Sequence, residues 1–233
     1  MLGKWVGALV LSGLFALAST ASNAQTKIGQ AKAVKPQAEG SVAGPLKPGS
    51  DVHESETVRT GSVGQTNLQF LDESTLNVGP AAVIKLDKFV YDPNKKDSGT
   101  IAIEATRGAF RFVTGTQDHS AYQINNPYGS LGVRGTAFNC EVKPKGQKQQ
   151  IAGCDIKCTV ESGAVEATTS GGVKKTFQAG QTFCQSGNNF SVTASAAQEL
   201  GGATGGGTGG SCVPQQTPTV ITCPLGPDKR LGF

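Results

Sequence analysis

The sequence predicts an all-β domain, and three observations carry that prediction. Apolar residues alternate with polar ones in short runs from Asp51 onward, the period of half-buried strands. Many of the 32 glycines fall at candidate turns, where chains turn corners. No stretch of the same region shows apolar residues at helical spacing. Evenly spaced short strands leave three architectures open: sandwich, barrel or β-solenoid.

The amino terminus reads as an export signal. Lys4 supplies the positive charge, and Val6 to Ala18 is apolar but shorter than the ~20 residues that span a bilayer. Ser22-Asn23-Ala24 offers small residues for cleavage, so residues 1–24 are expected to leave a mature chain starting near Gln25, periplasmic or secreted and with no membrane span. Removing Lys4 leaves 20 basic against 17 acidic residues, net +3, with the charges scattered. No basic block is long enough to neutralise a row of phosphates, so nucleic acid is not an expected partner.

Residues 25–50 are polar and carry Pro36, Pro45 and Pro48; they read as a flexible lead-in. The domain is placed at residues 51–187. Its strand faces are given by Leu68 and Phe70, Leu76 and Val78, Ile84 and Leu86, and Ile101 and Ile103. The series continues with Phe110 and Phe112, Tyr122 and Ile124, Leu131 and Val133, and Phe138, Cys140 and Val142. Parity places these phenylalanines in the core. Residues 188–233 form a tail: Ala194 to Leu200 favours a helical turn, Gly201 to Gly210 is a linker, and a short Cys-bearing end follows.

All six cysteines lie after residue 139: Cys140, Cys154, Cys158, Cys184, Cys212 and Cys223. An even count in an exported chain reads as disulfides. The nearest pair is C-x3-C and both histidines, His53 and His119, lie elsewhere; no metal or other cofactor is expected. Hairpin register predicts the pairing. Folding about Gln147 sets Cys140 against Cys154, and folding about Gly171 sets Cys158 against Cys184 and Val165 against Phe177. Cys212–Cys223 closes the tail. If coil-to-coil pairing replaces local hairpins, Cys140–Cys158 with Cys154–Cys184 is the competitor.

Motifs for chemistry are sparse. Asp92 to Gly99 carries calcium-loop oxygens, but Lys96 sits at the fifth position and no helices flank it; a solvated turn is the reading. Asp72 and Glu73 are adjacent, so strand geometry points them to opposite faces. His119 stands beside Asp118 and Ser120, which is no evidence of a spatial triad. No nucleophile has a base at recognisable spacing, and the chain is not expected to be an enzyme.

Four segments in order resemble the FecR domain family: Asp72-Glu73-Ser74-Thr75-Leu76, then Leu86 to Pro93, then Arg107-Gly108-Ala109-Phe110-Arg111-Phe112-Val113, and Gly132-Val133-Arg134-Gly135-Thr136-Ala137-Phe138. The resemblance spans roughly Asp51 to Gln185. It implies a disulfide-stapled β-solenoid or roll, with a sandwich as the alternative. It also implies a non-enzymatic extracytoplasmic binding or sensing module of a Gram-negative bacterium, joining envelope signalling or assembly through a protein partner. Arg107, Gly108, Arg134, Gly135, Thr136 and Phe138 are the motif residues and candidate partner contacts. Arg134 is read first as a donor to corner carbonyls that holds the fold, and second as a fixed guanidinium for a partner. Nothing precedes the export signal to hold a sigma factor, so direct anti-sigma activity is not expected. A secreted structural or adhesive protein is the alternative function.

Overall fold

The computed structural model describes residues 25–95, 99–146 and 153–194. All of its strands belong to one open 15-stranded sheet. In chain order they are β1 (Lys27–Lys35), β2 (Ala38–Gly40), β3 (Gly44–Pro45), β4 (Asp51–His53), β5 (Thr57–Thr60), β6 (Gln65–Phe70), β7 (Thr75–Val78) and β8 (Val83–Val90). Then come β9 (Thr100–Val113), β10 (Tyr122–Asn126), β11 (Gly129–Val142), β12 (Ile156–Thr169), β13 (Lys174–Gln178), β14 (Gln181–Ser186) and β15 (Asn189–Ala194). A single 3-10 turn, His119–Ala121, precedes β10, with Asp118 accepting from the Ser120 amide. No helix among the described residues is long and apolar enough to cross a membrane.

Three 14-residue strands shape the molecule because each has two sets of neighbours. The first half of β9 pairs with β8 and β10, and its second half with β7 and β11. The first half of β11 pairs with β10, and the later part of β12 pairs with β13 while its start pairs with β14. The changes of partner fall at glycines with positive φ: Gly108 at +93° and Gly163 at +69°. A side chain is excluded at both. A Cβ on Gly108 would lie 2.5 Å from Ala82, and one on Gly163 would lie 2.2 Å from the Gly135 carbonyl. At these corners the long strands exchange one set of neighbours for another. Phe177 of β13 stacks on Phe183 of β14 with centroids 3.9 Å apart, and Phe112 meets Tyr122 edge-on at 5.7 Å. One continuous core results, running from Ile28 through Leu76 and Phe138 to Phe183.

The parity expected for the central strands holds: Leu68, Leu76, Ile101, Ile103, Phe110, Phe112, Tyr122, Ile124, Leu131, Val133 and Phe138 are all buried. The expected lead-in does not. Residues 27–45 form β1, β2 and β3, and β1 sits between β4 and β6 with Ile28 and Ala31 inside. A register shift between Ala31 and Ala33 breaks the alternation, and alanine gives a weak apolar signal. The domain also runs past residue 187, since β15 pairs with β14. The expected signal, tail linker and Cys212–Cys223 pair lie outside the described residues.

The expected cysteine pairing is corrected. The bonds are Cys140–Cys158, with Cα atoms 4.1 Å apart, and Cys154–Cys184, at 5.4 Å. β11 and β12 do form an antiparallel pair, but its register sets Val142 against Ile156 and Cys140 against Cys158. That is four residues from the expected register, and an even shift preserves which faces are buried. On the other side of β12, Val165 does face Phe177. Beyond Gly163 the register moves by one, so Cys158 faces Phe183 and Cys184 faces Lys157. A one-residue slip changes faces, which removes Cys184 from Cys158 and leaves it to Cys154. Non-reducing peptide mapping should yield a peptide joining Cys154 to Cys184 and another joining Cys140 to Cys158; a Cys140–Cys154 peptide as the main product would contradict this register.

Candidate functional site: a polar groove across six strands

The motif residues are not gathered at one point. Gly108 lies opposite Val142, whereas Thr136 meets Thr114, just past the end of β9 and six residues beyond Gly108, through its amide and carbonyl. Six residues of strand is about 20 Å. The corner of β11 is held by Thr136, not by Arg134. Gly135 turns the backbone at φ +60°, placing Arg134 outside and Thr136 inside. The Thr136 hydroxyl lies 2.8 Å from the carbonyls of Arg134 and Ala164 and accepts from the Ala164 amide at 3.2 Å. Arg134 is 70% exposed, and its guanidinium is 4.0 Å from Glu166, so the expected carbonyl contacts are not its role. Arg107 is exposed, and Phe138 is core.

The Asp72 motif is a buried staple. Asp72 and Ser74 are fully buried, while Glu73 turns outward at φ +69°. One Asp72 oxygen accepts from the Ser74 hydroxyl at 2.6 Å and the Ser74 amide at 3.1 Å. The other accepts from the Tyr122 hydroxyl at 2.7 Å. That hydroxyl in turn accepts from the amides of Gly115 and Gln117. The network ties the β6–β7 turn to the segment leading into β10. A second buried carboxylate, Glu56, accepts from the amides of Ala43 and His53, both at 2.8 Å, and of Val42 at 3.2 Å. It fixes the turn after β2, and neither carboxylate faces solvent.

Burial, and then the Asp72 hydrogen bond, push the Tyr122 phenol above its ordinary value of 10. The folded state therefore holds that proton more tightly than the unfolded chain. The stability this adds is complete below about pH 10 and is lost as pH rises further. Denaturant titrations at pH 9 and pH 11 should show a steeper loss for the wild type than for Tyr122→Phe.

Among the described residues, no cluster of His, Cys, Asp or Glu could hold a metal. At the Asp92 turn, the Asn94 amide donates to Asp92 Oδ1 at 2.9 Å, a solvated Asx turn. The cavity that stands out is a groove of about 650 Å³ on the outer face of the sheet. It is built by register. Asn67 faces Asn77, Asn77 faces Arg111, Arg111 faces Asn139, and Asn139 faces Thr159. This polar row crosses β6, β7, β9, β11 and β12. One step along the strands, Lys35 faces Gln65, Ala109 faces Glu141, and Glu141 faces Lys157. Gly79 and Ala109 leave the middle low, and a Cβ on Gly79 would press the Ala109 carbonyl at 2.9 Å.

The row is internally fixed. Asn67 Nδ2 donates to Asn77 Oδ1 at 2.6 Å. Arg111 Nε lies 3.0 Å from both Glu161 oxygens, and Asn139 Nδ2 donates to Glu161 at 3.2 Å. The Arg111 hydrogen bonds hold the Glu161 carboxyl below its usual value and raise the guanidinium. Beneath lies the buried row Val78, Phe110, Cys140, Cys158 and Phe183, so the Cys140–Cys158 bond pins β11 to β12 under the groove. Sequence reasoning missed these outward residues. Their parity was readable beside Leu68, Leu76, Phe110 and Phe138, but their meeting depends on register.

Fold and surface define an all-β domain stapled by two disulfides, with a groove outside that a row of polar side chains crosses. Residues 56–166 match the family model described as FecR protein, and over that span the chain is a FecR domain. Two crystal structures from Parabacteroides distasonis, each provisionally described as an anti-sigma factor, show similarity at 10% and 11% identity with TM-scores of 0.45 and 0.46. Each comparison covers 62% of this chain and 62% of the other. Those likenesses are too distant to carry an argument. No curated protein matches the sequence.

Proposed function

We propose that this chain is a non-enzymatic extracytoplasmic FecR module that acts by contact with an envelope protein. The observation that carries the proposal is the open sheet. Among the described residues β15 ends the hydrogen-bonding path, paired only with β14, and its middle residues are exposed. An unpaired strand edge accepts an extended segment of a partner. Two disulfides suit an oxidising compartment, as does the leader read at residues 1–24. The buried carboxylates accept from structural donors, Glu56 from backbone amides and Asp72 from the Ser74 amide and the Ser74 and Tyr122 hydroxyls, which gives no support to acid–base chemistry. The finer fold reading is a β-solenoid or roll, supported by three long strands that each change partners part-way along.

Pull-down from an envelope fraction tests the contact. Of two adjacent amides in a strand, one points away from the neighbouring strand. Proline at Ser191 and, separately, at Val192 therefore includes one variant that removes a free donor and leaves the β14 ladder intact. A discrete partner captured by the wild type should be lost in that variant, with an unchanged melt. Recovery of the protein only in insoluble surface material would instead favour a structural role. Intact mass of the exported protein should place its start near Gln25. Truncation at Gly201 should preserve the cooperative melt, since the glycine run serves as a linker.

A further inference from the structure

We propose that the groove across β1, β6, β7, β9, β11 and β12 binds a linear oligosaccharide that carries carboxylate groups. This goes beyond the partner-strand proposal and does not depend on it, because β15 contributes nothing to the groove.

Four observations lead there. First, the lining carries planar polar groups: the amides of Asn67, Asn77, Asn139 and Gln65, which both donate and accept, and the Arg111 guanidinium, held by Glu161. Sugar hydroxyls also donate and accept, so a fixed row of amides suits them. Several of these groups are already held by one another, which reduces the ordering cost of binding. Second, the row steps from strand to strand, at about 4.8 Å per step. That step is comparable with one pyranose ring, so successive sugars could meet successive strands. Third, the centre is smooth. Gly79 and Ala109 lie there beside Val78, Phe110 and Cys140, whose side chains are buried in the core. The flat carbon face of a sugar can lie on alanine and glycine. Fourth, the groove has an excess of positive charge: Lys35, Arg111 and Lys157 line it against Glu141, and Glu161, outside the lining, pairs with Arg111. Arg111 is paired, but Lys35 and Lys157, on opposite walls, take part in no salt bridge among the described residues. Glu141 faces Lys157 in register without reaching it. Two unpaired ammonium groups on the walls favour ligand carboxylates. The volume of about 650 Å³ falls within the range of about 300–1,000 Å³ usual for ligand clefts.

Calorimetric titration of the disulfide-bonded mature chain provides the test, with tetragalacturonate as the probe. Cellotetraose supplies a linear glycan without carboxylates, and tetraglutamate supplies the charge without the sugar. Tetragalacturonate should bind, and cellotetraose and tetraglutamate should each bind at least tenfold more weakly. Asn77→Ala with Asn139→Ala should weaken tetragalacturonate at least tenfold. Lys35→Gln with Lys157→Gln should weaken it and flatten its salt dependence. Both variants alter exposed or half-exposed side chains, so their melts should match the wild type, and amide chemical shifts should move at Asn77, Ala109 and Asn139 on binding. No heat and no shifts at millimolar tetragalacturonate would overturn the proposal. Equal binding of tetraglutamate, equal binding of cellotetraose, or affinity unchanged in both double variants would also overturn it.

Discussion

Replacing Asp72 with alanine should cost about 4 kcal/mol of stability, since it strands several buried groups at once. Tyr122 loses the acceptor of its hydroxyl, and the Ser74 amide and hydroxyl lose theirs. None of these groups can turn to water, because Asp72 and Ser74 are fully buried and Tyr122 almost so. Against a typical stability of about 5–15 kcal/mol, such a loss leaves a marginal domain. Asp72→Asn keeps one acceptor and should cost about half as much. Urea denaturation of the disulfide-bonded protein measures both. A cost below about 1 kcal/mol for Asp72→Ala would show that the staple contributes little.

Gly163→Val should be comparably damaging for a different reason. The backbone at φ +69° disfavours any β-branched residue, and the first side-chain atom would lie 2.2 Å from the Gly135 carbonyl. Left-handed strain of about 1–3 kcal/mol adds to an overpacking cost of about 1–3 kcal/mol. The effect should exceed that of Gly146→Val, where φ is also positive at +86° but a Cβ meets nothing within 4 Å. Equal melts for the two variants would mean that the β11–β12 corner yields easily.

Much of this architecture is visible in the residues themselves. The alternation of Leu68, Leu76, Phe110, Phe112 and Phe138 places the core of the central strands correctly, because each of these side chains contributes a strong and local signal. Glycines inside the Arg107 and Arg134 motifs point to corners, and Gly108 and Gly135 are corners. Register is a different matter. It is set by how the long strands β9, β11 and β12 bend and pair, and a shift of four residues leaves every face unchanged while exchanging cysteine partners. The groove is invisible for the same reason: Asn77, Arg111 and Asn139 become neighbours only when three strands are aligned. β1 escapes notice because its bulge and its alanines blur the alternation. The role expected for Arg134 falls to Thr136, since a corner with a left-handed glycine at its centre sends the residue before it outward and the residue after it inward.

The proposed role rests on an exposed β15 edge that meets an envelope partner outside the cytoplasm. The most direct measurement places a photo-cross-linking residue at Val192, in β15, and separately at Val63, an exposed turn position, in protein exported by its native host. The account predicts one discrete adduct from position 192, formed in the envelope fraction, and none from position 63. No adduct from 192, or the same set of adducts from both positions, would contradict it.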